Sequence, residues 1–279
     1  MIISVASGKG GTGKTTVATN LACAVSGSVQ LLDCDVEEPN AHLFMKPAFQ
    51  SEDKVYAMVP VIDQERCSGC RQCAEICRYS AVTLVGGKVL SFPELCHGCG
   101  GCLEVCPEQA ITEGGRELGV IESGHSRGVG FIHGRLRVGE AMAPPLIRQV
   151  RARSAAASVT IIDAPPGTSC PVIAAMRGAD FVLMVTEPTP FGLHDLQLAV
   201  EAVRTLNIPC GLVINRADLG YDGVHAYAHR EGIPILMEIP FAREIAAAYS
   251  QGGLLIEVMP EWRQKFCNLY EKIANCTAG

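Results

Sequence analysis

The sequence predicts an α/β protein with a doubly wound, mostly parallel sheet that is interrupted by a small inserted α+β domain. Short apolar runs of strand length alternate with helical patterns along most of the chain, which is typical of a parallel sheet covered by helices on both faces. Eight of the 14 cysteines lie between residues 67 and 106, in a segment that contains an internal repeat. We therefore expect one discontinuous domain, residues 1–60 and 113–279, and an inserted domain at 61–112.

The predicted strands are near-continuous apolar runs bounded by proline, glycine or aspartate, as a sheet buried on both faces requires. They lie at 2–6, 29–32, 160–162, 181–185, 211–214 and 235–239. Helical patterns occur at 13–25, 193–206 and 242–249. Residues 114–139 are rich in glycine and weakly patterned, so no element is predicted there.

Composition narrows the class of protein. Hydrophobic residues make up 48% of the chain and the net charge is −6, which excludes a disordered chain and disfavours a nucleic-acid partner held by a strongly basic surface. No apolar run approaches the roughly 18 residues of a transmembrane helix, and the N-terminus lacks the charged segment of a signal peptide. We expect a cytoplasmic protein without a membrane anchor, in which clustered cysteines bind metal rather than form disulfides.

A glycine-rich loop lies between the first predicted strand and the first helix. It fits the pattern G-x-x-x-x-G-K-[ST], whose backbone N–H groups converge on phosphate oxygens. Lys14 would neutralise the β- and γ-phosphates, and the Thr15 hydroxyl would be a ligand of Mg²⁺. The residues expected to bind the nucleotide phosphates are Gly8, Gly10, Gly11, Thr12, Gly13, Lys14, Thr15 and Thr16.

The same glycines also fit the dinucleotide fingerprint G-x-G-x-x-G, with Asp33 as its acidic residue. That interpretation leaves Lys14 and Thr15 without a required role, so phosphate binding is favoured. Asp33 and Asp35 follow the second predicted strand, and Asp163 follows the run 160–162. An apolar strand that ends in aspartate at the carboxyl edge of such a sheet is the Walker B arrangement, which places a carboxylate near Mg²⁺ or its waters.

With Lys9 inside the glycine-rich loop, the motif resembles the deviant Walker A loop of the MinD/ParA/Mrp group of P-loop ATPases. The resemblance implies an ATPase that uses ATP and Mg²⁺ and works as a homodimer or as a heterodimer with a paralogous ATPase. It implies that Lys9 reaches across the dimer to the partner's nucleotide. It also implies that Asp35 positions or polarises the attacking water and that Asp163 lies behind a water bound to Mg²⁺.

Three more residues match this group at positions where it contacts adenine. Asn215 follows the predicted strand 211–214, and Pro240 with Phe241 follow the strand 235–239. The resemblance implies that all three bind the base of the nucleotide.

The cysteine segment contains two copies of a C-x2-C-x2-C-x3-C unit. Residues 67–83 and 96–112 align at an offset of 29 with 8 of 17 positions identical. Four cysteines within eleven residues are typical of bacterial ferredoxins, whereas zinc sites use pairs separated by a longer loop. Because the fourth cysteine of such a unit serves the other cluster, the predicted ligands are Cys67, Cys70, Cys73 and Cys106 for a first [4Fe–4S] cluster and Cys96, Cys99, Cys102 and Cys77 for a second.

The whole chain resembles an ATPase of the MinD/ParA/Mrp group that carries an inserted ferredoxin-like domain. The leading hypothesis is that the nucleotide state gates electron transfer by that domain, or its docking to a redox or cofactor-assembly partner, because the insert lies between Asp35 and Asp163 in the chain. A second hypothesis is a non-catalytic scaffold or positioning protein with structural clusters. A third, an Mrp-type carrier of iron–sulfur clusters, is disfavoured because only Cys267 and Cys276, nine residues apart, lie near the C-terminus.

A membrane helix of the MinD kind is also not expected at the C-terminus. The charges that flank the apolar stripe of Trp262, Phe266, Leu269 and Ile273 are mixed in sign, whereas a membrane anchor should be strongly basic. The stripe is expected to pack on the ATPase core.

Overall fold

The fold was analysed in a computed structural model that describes residues 1–154 and 157–277. Its strands, in chain order, are β1 Ile2–Ala6, β2 Val29–Asp33, β3 Ala48–Ile62, β4 Val82–Val85, β5 Lys88–Ser91, β6 Ile111–Ser126, β7 Val129–Leu136, β8 Val159–Asp163, β9 Phe181–Thr186, β10 Cys210–Asn215 and β11 Ile235–Ile239. Its α-helices are α1 Lys14–Ala24, α2 Ala41–Met45, α3 Gln72–Ile76, α4 Gly101–Glu104, α5 Ala143–Ala152, α6 Cys170–Met176, α7 Pro190–Thr205, α8 Gly223–Glu231, α9 Arg243–Ser250, α10 Leu255–Val258 and α11 Glu261–Thr277. Short 3₁₀ turns lie at Pro93–Leu95 and Ala217–Leu219.

Across the described ranges, nine strands form one sheet in the order β11-β10-β9-β1-β8-β2-β7-β6-β3. The pairs from β11 to β7 are parallel, and β7, β6 and β3 pair antiparallel. The prediction of an α/β fold with a mostly parallel sheet is confirmed. Every predicted strand is present, and β1 and β11 have the predicted bounds.

Alternate residues of the central strands enter two separate apolar cores, one on each face of the sheet. Leu31 of β2 packs on the face covered by α1 and α11, and Leu32 packs on the face covered by α5, α7 and α8. The stripe of α11 (Trp262, Phe266, Leu269 and Ile273) is buried in the first of these cores. In the parts of the chain that the structure describes, no helix is both long and apolar enough to cross a membrane.

The strands β3 and β6 form a long two-stranded arm. They pair from Ala48 and His125 at its base to Ile62 and Ile111 at its tip. Only the base of the arm is joined to the rest of the sheet, because β7 pairs with β6 from Gly119 to Ser126 and not with the outer part of β6. The predicted domain boundaries at 60/61 and 112/113 fall in the outer part of the arm, and the division into domains remains a prediction.

The arm explains why the sequence predicted no element over 114–139. A Cβ at Gly124 would lie 2.3 Å from the Ala48 carbonyl oxygen, and one at Gly119 would lie 2.2 Å from the Arg135 carbonyl oxygen. Neighbouring backbones therefore exclude a side chain at both positions. The glycines interrupt the alternation of apolar and polar residues that would otherwise have indicated strands.

The segment between the strands of the arm holds α3, α4 and the β4–β5 hairpin, and its backbone follows the repeat in the sequence. Left-handed residues occur in pairs that are 29 positions apart, namely Gly69 and Gly98, Arg71 and Gly100, and Ser80 and Gln109. The helices α3 and α4 begin at residues 72 and 101, with the same separation. The two copies thus have the same local conformation as well as similar sequences.

Candidate functional site

The phosphate loop leads directly into α1. Gly11 and Gly13 have φ of +77° and +98°, which glycine adopts without the strain that a side chain would cause. Gly13 is the N-cap of α1, and in the described part of the chain no side chain caps this helix. The first N–H groups of α1 are therefore available to an anion, which the positive end of the helix dipole also favours.

Lys14, the first residue of α1, is buried among carboxylates. Only 7% of the residue is exposed. Burial lowers the pKa of the Lys14 ammonium, and Asp163, Asp35 and Asp33 act in the opposite direction. Asp33 and Asp163 end the neighbouring strands β2 and β8 and are partners in their register. The topology thus brings the predicted acidic residues and the loop lysine to one edge of the sheet.

Asp163 carries an unpaired carboxylate beneath the phosphate loop. Both of its side-chain oxygens are buried, and no described residue gives either one a full hydrogen bond. Burial raises the pKa of Asp163 to about 7, against the opposing effects of the Thr15 hydroxyl and the Lys14 ammonium. An unpaired buried carboxylate is costly. Its oxygens and the Thr15 hydroxyl are hard donors that fit Mg²⁺ or its bound water.

Asp33 and Asp35, the two acids that follow the second predicted strand, have different environments. Asp33 is fully buried, and its carboxylate accepts hydrogen bonds from the backbone N–H groups of Asp35 at 3.1 Å, Asn40 at 3.1 Å and Ala41 at 3.0 Å. Asp33 therefore anchors the N-terminus of α2. Asp35 is only partly buried. Desolvation raises its pKa to about 6, while Lys14 lowers it.

Asp35 also faces open space. It lines a cavity of about 630 Å³ together with Pro165 and Pro166, which follow β8, and with residues of the loop after β7. Its carboxylate is thus placed between the buried Lys14 and a cavity that solvent can enter.

Lys9 makes a contact that the sequence analysis missed. Its Nζ lies 3.6 Å from Oε2 of Glu187, and Nη1 of Arg216 lies 2.9 Å from Oε1 of the same carboxylate. The Glu187 side chain is 8% exposed. The position of Glu187 just after β9, at the carboxyl edge of the sheet, was the signal that could have identified it.

The predicted adenine contacts lie at the ends of β10 and β11, on the same edge. The amide of Asn215 donates to the Thr12 carbonyl at 2.8 Å, so it supports the phosphate loop as well. Phe241 is 58% exposed, and the Arg216 guanidinium lies 5.6 Å from the centre of its ring. Pro240 precedes it and is exposed. These flat, accessible groups could pack against a base.

The cysteines of this segment lie close to one another, and Cys67, Cys73, Cys77, Cys102 and Cys106 pack in one apolar cluster. Cys67, Cys70, Cys73 and Cys106 line one cavity, although Cys106 belongs to the second copy of the repeat. Cys77 packs with Cys96, Val59 and Ala81. Burial raises the pKa of the Cys102 thiol, and the adjacent Cys96 and Cys99 thiols raise it further.

The structure does not identify a metal site by itself. No set of three or more His, Cys, Asp or Glu side chains within residues 1–154 and 157–277 is arranged to hold a metal ion. No disulfide joins any of the 14 cysteines, all of which lie within the described residues. The assignment of iron–sulfur clusters to these cysteines therefore stays a prediction.

Comparisons with known proteins agree with the ATPase part of this arrangement. Residues 3–255 match the CobQ/CobB/MinD/ParA nucleotide binding domain. Two uncharacterized proteins of Methanocaldococcus jannaschii, MJ0578 and MJ0579, are similar over nearly their whole length. The first is 34% identical, covering 98% of this chain and 96% of that protein, and the second is 30% identical, covering 99% and 97%.

Solved structures of MinD and McdA proteins have the same fold. The septum site-determining protein MinD of Pyrococcus horikoshii, complexed with Mg-ADP, matches with a TM-score of 0.62 and 19% identity, covering 98% of this chain and 95% of that one. The cell division ATPase MinD of Pyrococcus furiosus matches at 0.59 and 21%, covering 98% of each chain. A variant of McdA from Cyanothece in complex with ATP matches at 0.59 and 17%, covering 98% and 96%. Taken with the site, the match over residues 3–255 shows that this chain belongs to the CobQ/CobB/MinD/ParA family of nucleotide-binding domains.

Proposed function

We propose that this chain binds and hydrolyses Mg²⁺-ATP, and that its nucleotide state gates electron transfer by, or partner docking of, a domain with two [4Fe–4S] clusters. The observation that carries the ATPase part is Lys14, buried among Asp33, Asp35 and Asp163 at the start of an uncapped helix. Such an arrangement binds phosphates and a divalent cation together. ATPase activity is typical of the MinD/ParA family.

Each residue of the nucleotide site has a proposed role. Residues 8–16 bind the phosphates through backbone N–H groups, and Lys14 neutralises the β- and γ-phosphates. Thr15 and Asp163 hold Mg²⁺, the latter through a water, and the bound ion would offset charge on the transferred phosphoryl group. Asp35, with a pKa of about 6, is mostly ionised at pH 7 and orients the attacking water. Asn215, Pro240 and Phe241 bind adenine.

Lys9 is proposed to act on the nucleotide of the partner subunit. Its contact with Glu187 spans 3.6 Å, and the lysine side chain is 35% exposed. An ion pair of this length and exposure is weak, so Lys9 can leave it when a second subunit arrives. Either a homodimer or a heterodimer with a paralogue would supply the second nucleotide on which Lys9 is proposed to act. The two relatives in one organism support a pairing of paralogues.

The cluster assignment rests on the chemistry and grouping of the thiols. Soft thiolates select iron–sulfur clusters or zinc, and the cavity lined by Cys67, Cys70, Cys73 and Cys106 joins the four predicted ligands of one cluster. The ligands proposed for the other are Cys96, Cys99, Cys102 and Cys77. A four-iron cube holds its thiolates farther apart than a single ion does, so the lack of a single-ion site does not argue against it. Bound clusters would supply one-electron transfer.

Gating is proposed because the nucleotide site and the arm are connected through α2. Asp33 binds the N-terminal backbone of α2. The helix ends at Met45, and β3 of the arm begins at Ala48. A change at the γ-phosphate that moves Asp33 and Asp35 would therefore shift α2 and the base of the arm that carries the cysteines.

The proposed location is the cytoplasm, whose reducing conditions suit cysteines that form no disulfides. The proposed partner is a redox protein or a protein that receives a metal cofactor. No nucleic-acid partner is proposed, because the net charge is −6.

Two measurements on anaerobically purified protein test this function. Lys14→Ala should lose ATP turnover, whereas Lys88→Ala, an exposed lysine of the cysteine segment, should keep it. Iron and sulfide analysis should give about eight of each per chain. Full turnover in Lys14→Ala would refute the site, and a protein without iron would refute the cluster assignment. Clusters whose potential and partner affinity ignore the nucleotide would favour the scaffold hypothesis.

A further inference from the structure

Arg116 and Glu140 form a buried ion pair between the arm and the loop that follows β7. The side chains are 7% and 1% exposed, respectively. Nη1 of Arg116 donates to Oε2 of Glu140, and Oε1 of Glu140 accepts from the backbone N–H of Met142 at 2.9 Å. Each charge of a buried pair has a strong electrostatic effect on neighbouring groups, because water does not screen it.

On the side of the cysteines, the guanidinium reaches a predicted cluster ligand. Nη2 of Arg116 lies 3.5 Å from the carbonyl oxygen of Cys96. The Cys96 thiol in turn lies 3.8 Å from the Met58 carbonyl of the arm and accepts from the backbone N–H of Gly98 at 3.4 Å. The positive charge of Arg116 is thus held beside the turn that would bind the second cluster.

On the side of the nucleotide, the end of β7, which leads into the loop that contains Glu140, contacts the residue that follows Asp35. The backbone N–H of Leu136 donates to the carbonyl of Val36, the residue after Asp35, at 2.8 Å. Glu140 and Asp35 line the same cavity. A displacement of Asp35 and Val36 would therefore reach Glu140 through a short, continuous set of contacts.

We propose that Arg116 is a positioning residue that couples the nucleotide site to the cluster held by Cys96, raising its reduction potential to an extent set by the Glu140 carboxylate. The proposal rests on the proposed function. Reduction adds one negative charge to a cluster, so a nearby buried cation favours the reduced form. Glu140 partly cancels that cation, and a movement of the loop changes the cancellation.

The test is anaerobic potentiometry of the holoprotein, followed by electron paramagnetic resonance, with Mg-ADP or a non-hydrolysable ATP analogue. Arg116→Met should lower one of the two potentials and Glu140→Gln should raise the same one. Each shift is expected to be on the order of a tenfold change in the ratio of oxidised to reduced cluster, or about 59 mV. Arg135→Gln is the control, because it removes the same charge from a side chain that is 57% exposed.

Opposite signs distinguish this role from a structural one. Shifts in the same direction, or no shift, would overturn the proposal, because loosening of the cysteine turn has no reason to depend on which charge is removed. If Arg116→Met does not fold, Arg116→Lys is used, which keeps the charge but not the two-sided contact. In Arg116→Lys, the average of the potentials measured with Mg-ADP and with the ATP analogue should stay the same. The difference between these two potentials should disappear.

Different results would contradict the proposed function and the role of Arg116. A protein without clusters, or one in which neither the cluster potentials nor the affinity for the partner depends on the nucleotide, contradicts the proposed function. A protein with clusters that respond to the nucleotide equally in the wild type and in both variants contradicts only the role of Arg116.

Discussion

Replacing Asp163 by asparagine should make the nucleotide-free protein more stable at pH 8, although this residue belongs to the proposed site. Burial raises the pKa of Asp163 to about 7 in the folded protein, whereas an aspartate in an unfolded chain has a pKa of about 3.9. Between these values the folded state binds the proton that the unfolded state has released. Stability therefore falls as the pH rises through this window, and the loss is complete above pH 7.

The size of the destabilisation follows from the difference between the pKa of Asp163 in the folded and in the unfolded protein. A difference of about three pKa units lowers the free energy of unfolding by roughly 4 kcal/mol at pH 8 and by about 1.5 kcal/mol at pH 5, relative to a side chain that stays neutral. The asparagine side chain of the variant would carry no charge at either pH, so the advantage of the variant should grow from pH 5 to pH 8.

The assay is urea denaturation of the apoprotein at both pH values in the presence of a chelator, with Asp53→Asn as a control whose side chain is 54% exposed. Mg-ATP should stabilise the wild type much more than Asp163→Asn. A variant that is less stable than the wild type at pH 8, or an advantage that shrinks as the pH rises, would refute the reasoning.

Three further changes address the loop, the last helix and the cysteines. Gly13→Ala should abolish nucleotide binding in calorimetry, because φ is +98° and a Cβ would lie 2.6 Å from Nδ2 of Asn215; unchanged affinity would contradict this. Trp262→Ala should lower the free energy of unfolding by about 3–5 kcal/mol, because the side chain lies in the core; release of the protein from anionic vesicles instead would indicate a membrane helix. Cys106→Ser should lose one of two clusters, leaving about half the iron, whereas Cys276→Ser, with its exposed thiol, should lose none.

Much of the ATPase architecture could be predicted because its signals are local. A buried parallel strand is a short apolar run, and β1 and β11 were predicted without error in their bounds. The phosphate loop needs glycines at left-handed positions and a lysine at the start of a helix, all within eight residues. Each of these requirements concerns neighbours along the chain.

The arm could not be predicted for the opposite reason. Glycine is required at 119 and 124 only because the backbones of Arg135 and Ala48 lie against them, and those contacts exist only after the strands have paired. Asp33 resembled a site residue in the sequence, yet its carboxylate is occupied by the backbone of residues 35, 40 and 41. Asp33 and Asp35 differ in how deeply they are buried, and the sequence pattern alone does not reveal that difference.

By itself, the sequence of this protein determined the α/β class, the phosphate loop with its acidic strand ends, and the repeat of eight cysteines. Only the tertiary structure decided which charges are neighbours. Lys9 meets Glu187, and Arg116 meets both Glu140 and Cys96. The physical reason is that a periodic pattern records which face of an element is apolar, whereas an ion pair depends on how distant elements pack and exclude water.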